Sequence, residues 1–534
     1  MYVKCFSAYV HGLEGQIIEV EVDISSGLPH FDIVGLPGSA LKEAKERVRS
    51  AIKNSGFQFP NKRITVNLAP ANLRKEGSYF DLAIAFSILI ADQQIKRTKW
   101  LEDQLNEALI IGELALDGQV RKNMGILPLV IAAKEKHVQR IIVPQDNVLE
   151  ANALREVRAT GVAHLREFVH NMQQGRGQQR ELREDVVRAV NPMEVASQQK
   201  PSTLWQGEDF ADIHGQIHVK RAFEIAACGH HHLLLSGPPG SGKTLLAKNF
   251  VSLLPKLTVK EAIEVTRIYS VAGLLKEEEG LRWKRAIRSP HHTTTQAAMI
   301  GGGVPIKPGE ISLAHYGVLF LDEFLEFRRG VVEALREPLQ EGTITINRSH
   351  HSYHFPAHFQ LILALNPCPC GYYGYETERK SCVCSAHQVA SYQNKLSGPL
   401  FDRIDMHLDV PPITYQDLTH GSKESRKKIT DINYNYTTAK MRSRIEEGRE
   451  YKQWRSPTAP YNGLLSPKEI KKECVLTPAA EELIKLAFEQ LHISARSYHK
   501  ILKLGRTIAD MNKSKDIDEV AIAEAIQFRV LDRG

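Results

Sequence analysis

Gly237-Pro238-Pro239-Gly240-Ser241-Gly242-Lys243-Thr244 is a complete G-x-x-x-x-G-K-T loop. Its flanks supply the context such a loop needs. Upstream, His231-His232-Leu233-Leu234-Leu235-Ser236 carries the short apolar run of a buried parallel strand. Downstream, Leu245-Leu246-Ala247-Lys248-Asn249-Phe250-Val251 continues as a helix whose N-terminus would face an anion. Glycines at 237, 240 and 242 let the backbone curl until successive amides point at phosphates. Lys243 reaches the outer phosphates and the Thr244 hydroxyl can ligate Mg²⁺. The loop predicts ATP as cofactor and a nucleotide-driven machine.

Such a loop needs a carboxylate-bearing strand, and Gly317-Val318-Leu319-Phe320-Leu321-Asp322-Glu323-Phe324 provides one. Acids closing a fully apolar strand cost desolvation unless a metal or partner offsets them. Asp322 is therefore read as the second Mg²⁺ ligand and Glu323 as the group that polarises water. Asn366 follows directly on the apolar run Gln360–Leu365, where its amide could sense the γ-phosphate. Arg403 lies between Asp402 and Asp405. A finger acting on a neighbouring subunit and a simple pairing with those aspartates fit the spacing equally. Arg496, opening Ala495-Arg496-Ser497-Tyr498-His499, is a similar candidate.

The full chain of 534 residues, 42% hydrophobic, has room for several soluble domains. With 69 basic and 62 acidic side chains its net charge of +7 permits nucleic acid as a partner without requiring it. The opening Met1–Ala8 has no basic region followed by an apolar run, so no signal peptide is expected. Leu82–Ala91 is too short to span a bilayer, so no membrane association is expected and the location is read as cytoplasmic.

Seven cysteines, four of them clustered, suit a metal site in a reducing compartment better than a disulfide framework. Cys368-Pro369-Cys370 and Cys382-Val383-Cys384 place four thiolates where one tetrahedral Zn²⁺ could gather them, the ion supplying folding energy to a flexible aromatic loop. A reduced empty loop and an iron–sulfur cluster are the other readings.

Taken together, the loop at Gly237, Arg288-Ser289-Pro290-His291-His292-Thr293, Gly301-Gly302-Gly303, Pro308–His315, Leu321-Asp322-Glu323, Leu335-Arg336-Glu337-Pro338-Leu339 and Ser397-Gly398-Pro399 resemble the magnesium-chelatase-like branch of the AAA+ ATPases across the whole chain. Phe401, where that pattern more often has leucine, is a small departure. The resemblance implies that Asn366 is the first sensor, Arg403 the finger and Arg496 the second sensor. It also implies a homo-hexameric ring threaded by single-stranded or branched DNA, working with a possible recombinase partner. The activity implied is DNA unwinding that promotes branch migration of recombination intermediates in natural transformation. A chelatase-type chaperone ATPase acting on a tetrapyrrole partner is the alternative. Two pore elements are implied, the 289–308 insertion and the hairpin within 342–359. The hairpin's tip offers Arg348, His350 and His351 to DNA; read without the resemblance, it is a solvated turn.

The first domain resembles the Lon protease domain through Asn67–Pro70, Lys75–Tyr79, Ile110–Leu114 and Gly125–Pro128. The places of Lon's serine and lysine hold Tyr79 and Leu127, which cannot form an acyl-transfer dyad, so the domain is read as inactive in proteolysis. Basic Arg47, Lys53, Lys62, Arg63, Arg74 and Lys75 would suit a collar that guides DNA. The expected fold class is thus α/β: an S5/Lon-like α+β domain (1–170), a linker (171–205), an AAA+ P-loop parallel-sheet core (206–412), a charged irregular connector (413–465) and a C-terminal helical lid (466–534).

Overall fold

The computed structural model describes residues 1–36, 38–71, 75–154, 156–174, 208–348, 351–375, 381–395, 398–412, 435–457, 459–491 and 493–529. Alternating burial along Tyr2–His11 and Glu14–Ser25 makes them a pair of antiparallel strands, β1 and β2. With β3 (His30–Val34), β4 (Arg63–Ala69), β5 (Ala108–Ile110), β6 (Arg140–Pro144) and β7 (Arg158–Val162) they form a mixed seven-stranded sheet, ordered β3-β4-β2-β1-β5-β6-β7. Helix α1 (Asp81–Ala91) is buried at every position, which accounts for the apolar run there: it is the core helix of this domain. Among the described residues no helix is long and apolar enough to cross a membrane.

Two of the basic residues read as a DNA-guiding collar point inward. Arg47 Nε donates to the fully buried Asp81 carboxylate at 2.7 Å. Lys75 is buried, its amine donating to the carbonyls of Gly35 and Pro70. A buried cation must be matched internally, so Lys75 is unavailable to a polynucleotide, while the partly exposed Arg47 is committed to Asp81. Arg74 lies outside the described residues. At the Lon-like positions Tyr79 donates its hydroxyl to Met124 O at 3.1 Å, Leu127 is fully buried, and Ser78 donates to Glu113.

The second sheet holds the phosphate loop. Its strands are β8 (Leu233–Ser236), β9 (Ile287–Arg288), β10 (Val318–Leu321), β13 (Gln360–Leu365) and β14 (Met406–Asp409), all parallel and ordered β9-β10-β13-β8-β14. β10 and β13 are buried at every residue, the reason both read as continuous apolar runs. β11 (Thr343–Arg348) and β12 (His351–Pro356) form a separate antiparallel hairpin in the register Arg348↔His351; His350 lies outside the described residues.

The two domains share a buried seam. Helix α2 (Ile126–Glu135) packs on α5 (Val259–Ala272), numbered after α3 (Ile217–Gly229) and α4 (Lys243–Phe250). Gly125 N donates to Ser270 O at 3.1 Å, and the Ser270 hydroxyl donates to the buried Glu150 carboxylate, which also accepts from Leu127 N at 2.9 Å. The His11 ring lies 4.7 Å from that of Tyr353 on the hairpin.

The charged stretch expected to be irregular contains an 18-residue helix, α6 (Thr438–Arg455). Only Met441 and Ile445 of its buried residues are strongly apolar, too few to betray a helix from periodicity. What fixes it is tertiary: Arg455 pairs with buried Asp510 at 2.8 Å and with Glu473 at 3.3 Å. The segment expected to be a helical lid contains α7 (Pro478–Gln490), α8 (Ala495–Met511) and α9 (Glu519–Gln527), and α6 packs against α3 and α8. The helix ending the first domain runs to Gln173, past the expected start of the linker, of which 175–205 lies outside the described residues.

Candidate nucleotide site and its thiol loop

The phosphate loop leaves the C-terminal end of β8, between β13 and β14, where open parallel sheets form their ligand crevice. Gly240 and Gly242 hold φ +80° and +89° with nothing within 4 Å of a prospective Cβ, so the loop's inner face stays clear for a ligand. Gly237 is required for a different reason: a Cβ there would lie 2.2 Å from Val410 O. Lys243 folds onto the loop, its Nζ donating to Gly237 O at 2.6 Å, to Pro238 O at 2.9 Å and to Asn366 Oδ1 at 3.3 Å. Burial pulls its pKa down, and the Asp322 carboxylate opposes that pull. Thr244 Oγ1 donates to Asp322 Oδ2 at 2.6 Å, so the two groups read as Mg²⁺ ligands are already adjacent. Glu323 follows with φ +49°, a left-handed conformation sparsely populated by side-chain-bearing residues. Lys243, Thr244, Asp322 and Asn366 are therefore brought together from three strand ends.

Arg403 and Arg496 are placed elsewhere. Arg403 Nη2 donates to Gln340 Oε1 at 2.8 Å, and Arg496 pairs with Asp402 at 2.7 Å. Asp405 is taken by Lys500 at 2.5 Å, and His232 N donates to it at 2.8 Å. Both aspartates flanking Arg403 thus have other cations. Arg336 lines a recess with Arg403 and Gln340, and it helps burial lower the Arg403 pKa. The histidine run at 230–232, silent in the sequence, serves as a tie: His231 Nε2 meets Thr507 Oγ1 of α8 at 2.8 Å, and His232 Nδ1 accepts from Leu361 N at 3.1 Å. Phe401 stacks on His407 at 4.3 Å.

The four cysteines predicted to share a metal do converge. Their sulfurs all lie within 4.8 Å of one another, with Cys368–Cys370 at 3.3 Å, Cys370–Cys382 at 3.6 Å and Cys368–Cys382 at 3.8 Å. Thiolates around a tetrahedral Zn²⁺ stand ~3.8 Å apart, so the set fits. Backbone amides of Tyr372 and Val383 draw the Cys370 thiol down to about 6, whereas, despite the amide of Cys384, burial and the neighbouring sulfurs raise Cys382 to about 12, and Cys384 is raised as well, so four thiolates together require a cation among them. The loop is also joined to the nucleotide site. Cys368 follows Asn366 by two residues, and Gly371, at φ +86°, packs so closely that a Cβ would lie 2.5 Å from Pro239 Cδ.

Three family models match in succession: "Subunit ChlI of Mg-chelatase" over 20–147, "Magnesium chelatase, subunit ChlI" over 209–418 and "Magnesium chelatase, subunit ChlI C-terminal" over 435–529. Competence protein ComM of Haemophilus influenzae is 39% identical, covering 98% of this chain and 96% of its own. The chain belongs to the ComM/YifB family of magnesium-chelatase-like AAA+ proteins. YifB of Salmonella typhimurium and YifB of Escherichia coli are each 38% identical, with 98% of this chain and 96% of theirs covered. Membership of this AAA+ family implies ATPase activity with ATP and Mg²⁺.

Several features of this ComM/YifB-family site had no sequence signal that could have found them. Gln340 as a partner of Arg403, the Gly371–Pro239 contact and the approach of His292 Nδ1 to Glu323 Oε2 at 3.5 Å all join residues remote in the chain.

Proposed function

We propose that the chain is a homo-hexameric, ATP-driven DNA translocase or helicase that promotes branch migration of recombination intermediates in natural transformation. The observation that carries this reading is the division of the expected catalytic set: Lys243, Thr244, Asp322 and Asn366 converge, whereas Arg403 and Arg496 are engaged by Gln340 and Asp402. A site divided in this way is completed by a neighbour, and hydrolysis then reports on the ring. The likeness to ComM, a competence protein, supports the biological setting.

In this reading the amides of 237–244 and Lys243 hold the outer phosphates. Thr244 and Asp322 hold Mg²⁺, which neutralises charge on the phosphates when bound. Glu323 orients the attacking water and accepts its proton, with Asn366 fixing that water's position. Arg403, presented to the adjacent subunit, meets charge developing on the transferred group, a contribution worth about 10³–10⁵ in rate, and Arg496 acts from the lid. Cys368, Cys370, Cys382 and Cys384 hold Zn²⁺ as a structural ion. Arg348, His350 and His351 contact the backbone of single-stranded or branched DNA, a cytoplasmic recombinase supplying the substrate.

Unwinding of a three-strand or four-way junction, with loss of unwinding in Lys243→Ala, is the expected result. ATP hydrolysis that no DNA structure stimulates, with no junction moved, would refute it. The family descriptions favour a second reading, a chelatase-type ATPase serving a tetrapyrrole partner. Capture of a chelatase subunit by the wild-type chain would select it.

A further inference from the structure

A cavity of about 300 Å³ opens at the end of the second sheet opposite the phosphate loop. Helix α4 begins at Lys243 in that loop and runs eight residues, roughly 12 Å, so residues 251–256 beyond its far end line the cavity on one side. Trp283 and Arg285, just ahead of β9, line a second side, and the first turns of α6 between Ala439 and Glu446 a third. Three segments remote in the chain therefore enclose it.

The charges around it are unbalanced. Among the described residues that line it, Lys256, Lys284, Arg285 and Arg442 face a single acid, Glu446. Arg285 is committed to the protein: its guanidinium donates to Pro255 O and Tyr316 O at 2.6 Å each and stands 3.5 Å from Glu261. Arg442 is not so matched. Its Nε donates to Ser252 O, and among the described residues no carboxylate lies within ion-pair distance of it. Burial pulls its pKa down, and Glu446 and Asp209 oppose that only through space. Beside it, Ser252 is 2% exposed, yet its hydroxyl has no hydrogen-bond partner. A half-buried guanidinium without a counter-ion and a buried hydroxyl without a partner each cost free energy that an anionic ligand offsets.

The size and the remaining walls define that ligand further. The space is about ten times that of one water, too large for an inorganic anion by itself. Leu254 and Pro255 add apolar surface, and the partly buried Trp283 adds an indole against which a flat ring can lie. We infer that this cavity is a second ligand site, separate from the phosphate loop, that takes a nucleoside phosphate: its phosphates meet Arg442, Lys284 and the Ser252 hydroxyl, and its base lies against Trp283.

The test is photolabelling of the full chain with 8-azido-ADP below saturation, with labelled peptides mapped by mass spectrometry. Wild type should carry label on the peptide containing Trp283 as well as near the phosphate loop, and excess ADP should displace both. Arg442→Ala should lower the Trp283 label roughly tenfold or more, and Ser252→Ala roughly two- to tenfold, with label near the phosphate loop unchanged. Glu446→Gln, which removes the opposing charge, should raise it. Lys284→Ala, at an exposed position, should also lower it and carries the test if Arg442→Ala fails to fold. Absence of label from the Trp283 peptide, or a label indifferent to both Arg442→Ala and Lys284→Ala, overturns the inference. So does loss of that label in Lys243→Ala, which would assign it to the phosphate-loop site. Displacement by inorganic pyrophosphate as effective as by ADP would show that the base is not held, and would overturn the assignment to a nucleoside phosphate.

Discussion

Replacing Gly371 with alanine asks whether the thiol loop holds the phosphate loop in shape. At φ +86° any side-chain-bearing residue incurs the left-handed cost, roughly 1–2 kcal/mol. The new methyl would also stand 2.5 Å from Cδ and 2.8 Å from Cγ of Pro239. Carbon atoms rest about 3.5–4.0 Å apart, so the two loops must separate by on the order of 1 Å. A displacement of that size at a reacting site costs up to about 10²-fold. Gly374 provides the control within the same loop: its φ is +79°, and nothing lies within 4 Å of its prospective Cβ. Gly374→Ala therefore carries the backbone cost without the collision. The expected result is a fall in kcat/KM for ATP of roughly 10- to 100-fold in Gly371→Ala and less than about threefold in Gly374→Ala. Metal content, measured on the same preparations, should match wild type in both. Equal losses in the two variants, or full activity in Gly371→Ala, would show that the contact with Pro239 does not shape the nucleotide site.

Cys368→Ser, at a fully buried sulfur bonded by the amides of Gly371 and Tyr373, should abolish stoichiometric metal in elemental analysis and lower the melting temperature; an unchanged metal ratio would dismiss the four-thiol site. Lys243→Ala and Arg403→Ala should each be inactive alone. Mixed together they should regain measurable ATPase, because some interfaces then pair an intact loop with an intact arginine; no recovery on mixing would place Arg403 in its own subunit's site. In the first domain, burial raises the Asp81 carboxyl to about 6 despite the opposing Arg47 guanidinium. A folded pKa above the unfolded value of about 3.9 gives stability present below pH ~4 and lost as pH rises through about 6, a swing of ~3 kcal/mol. Asp81→Asn should flatten that slope in thermal melts between pH 4 and 7, and a slope identical to wild type would contradict the assignment.

The sequence by itself determined the phosphate loop, the carboxylate strand, the asparagine after β13, the cysteine pairs and the lid helices. Each is local, a fixed spacing or a burial period written within about twenty neighbouring residues. The Leu82–Ala91 run was legible only as too short to span a bilayer, and the fold made it the buried helix against the first sheet. Tertiary structure alone decided that Arg455 anchors α6 through Asp510, that Ser270 meets Glu150 across the domain seam, that Arg47 and Lys75 turn inward, and that Gly371 abuts Pro239. These pairs are separated by 34 to 132 positions or depend on a cavity's shape, and periodicity carries no record of them. Burial leaves its mark in which residues are apolar, whereas the choice of partner for a charge, a hydroxyl or a missing Cβ is made only when distant segments arrive in contact.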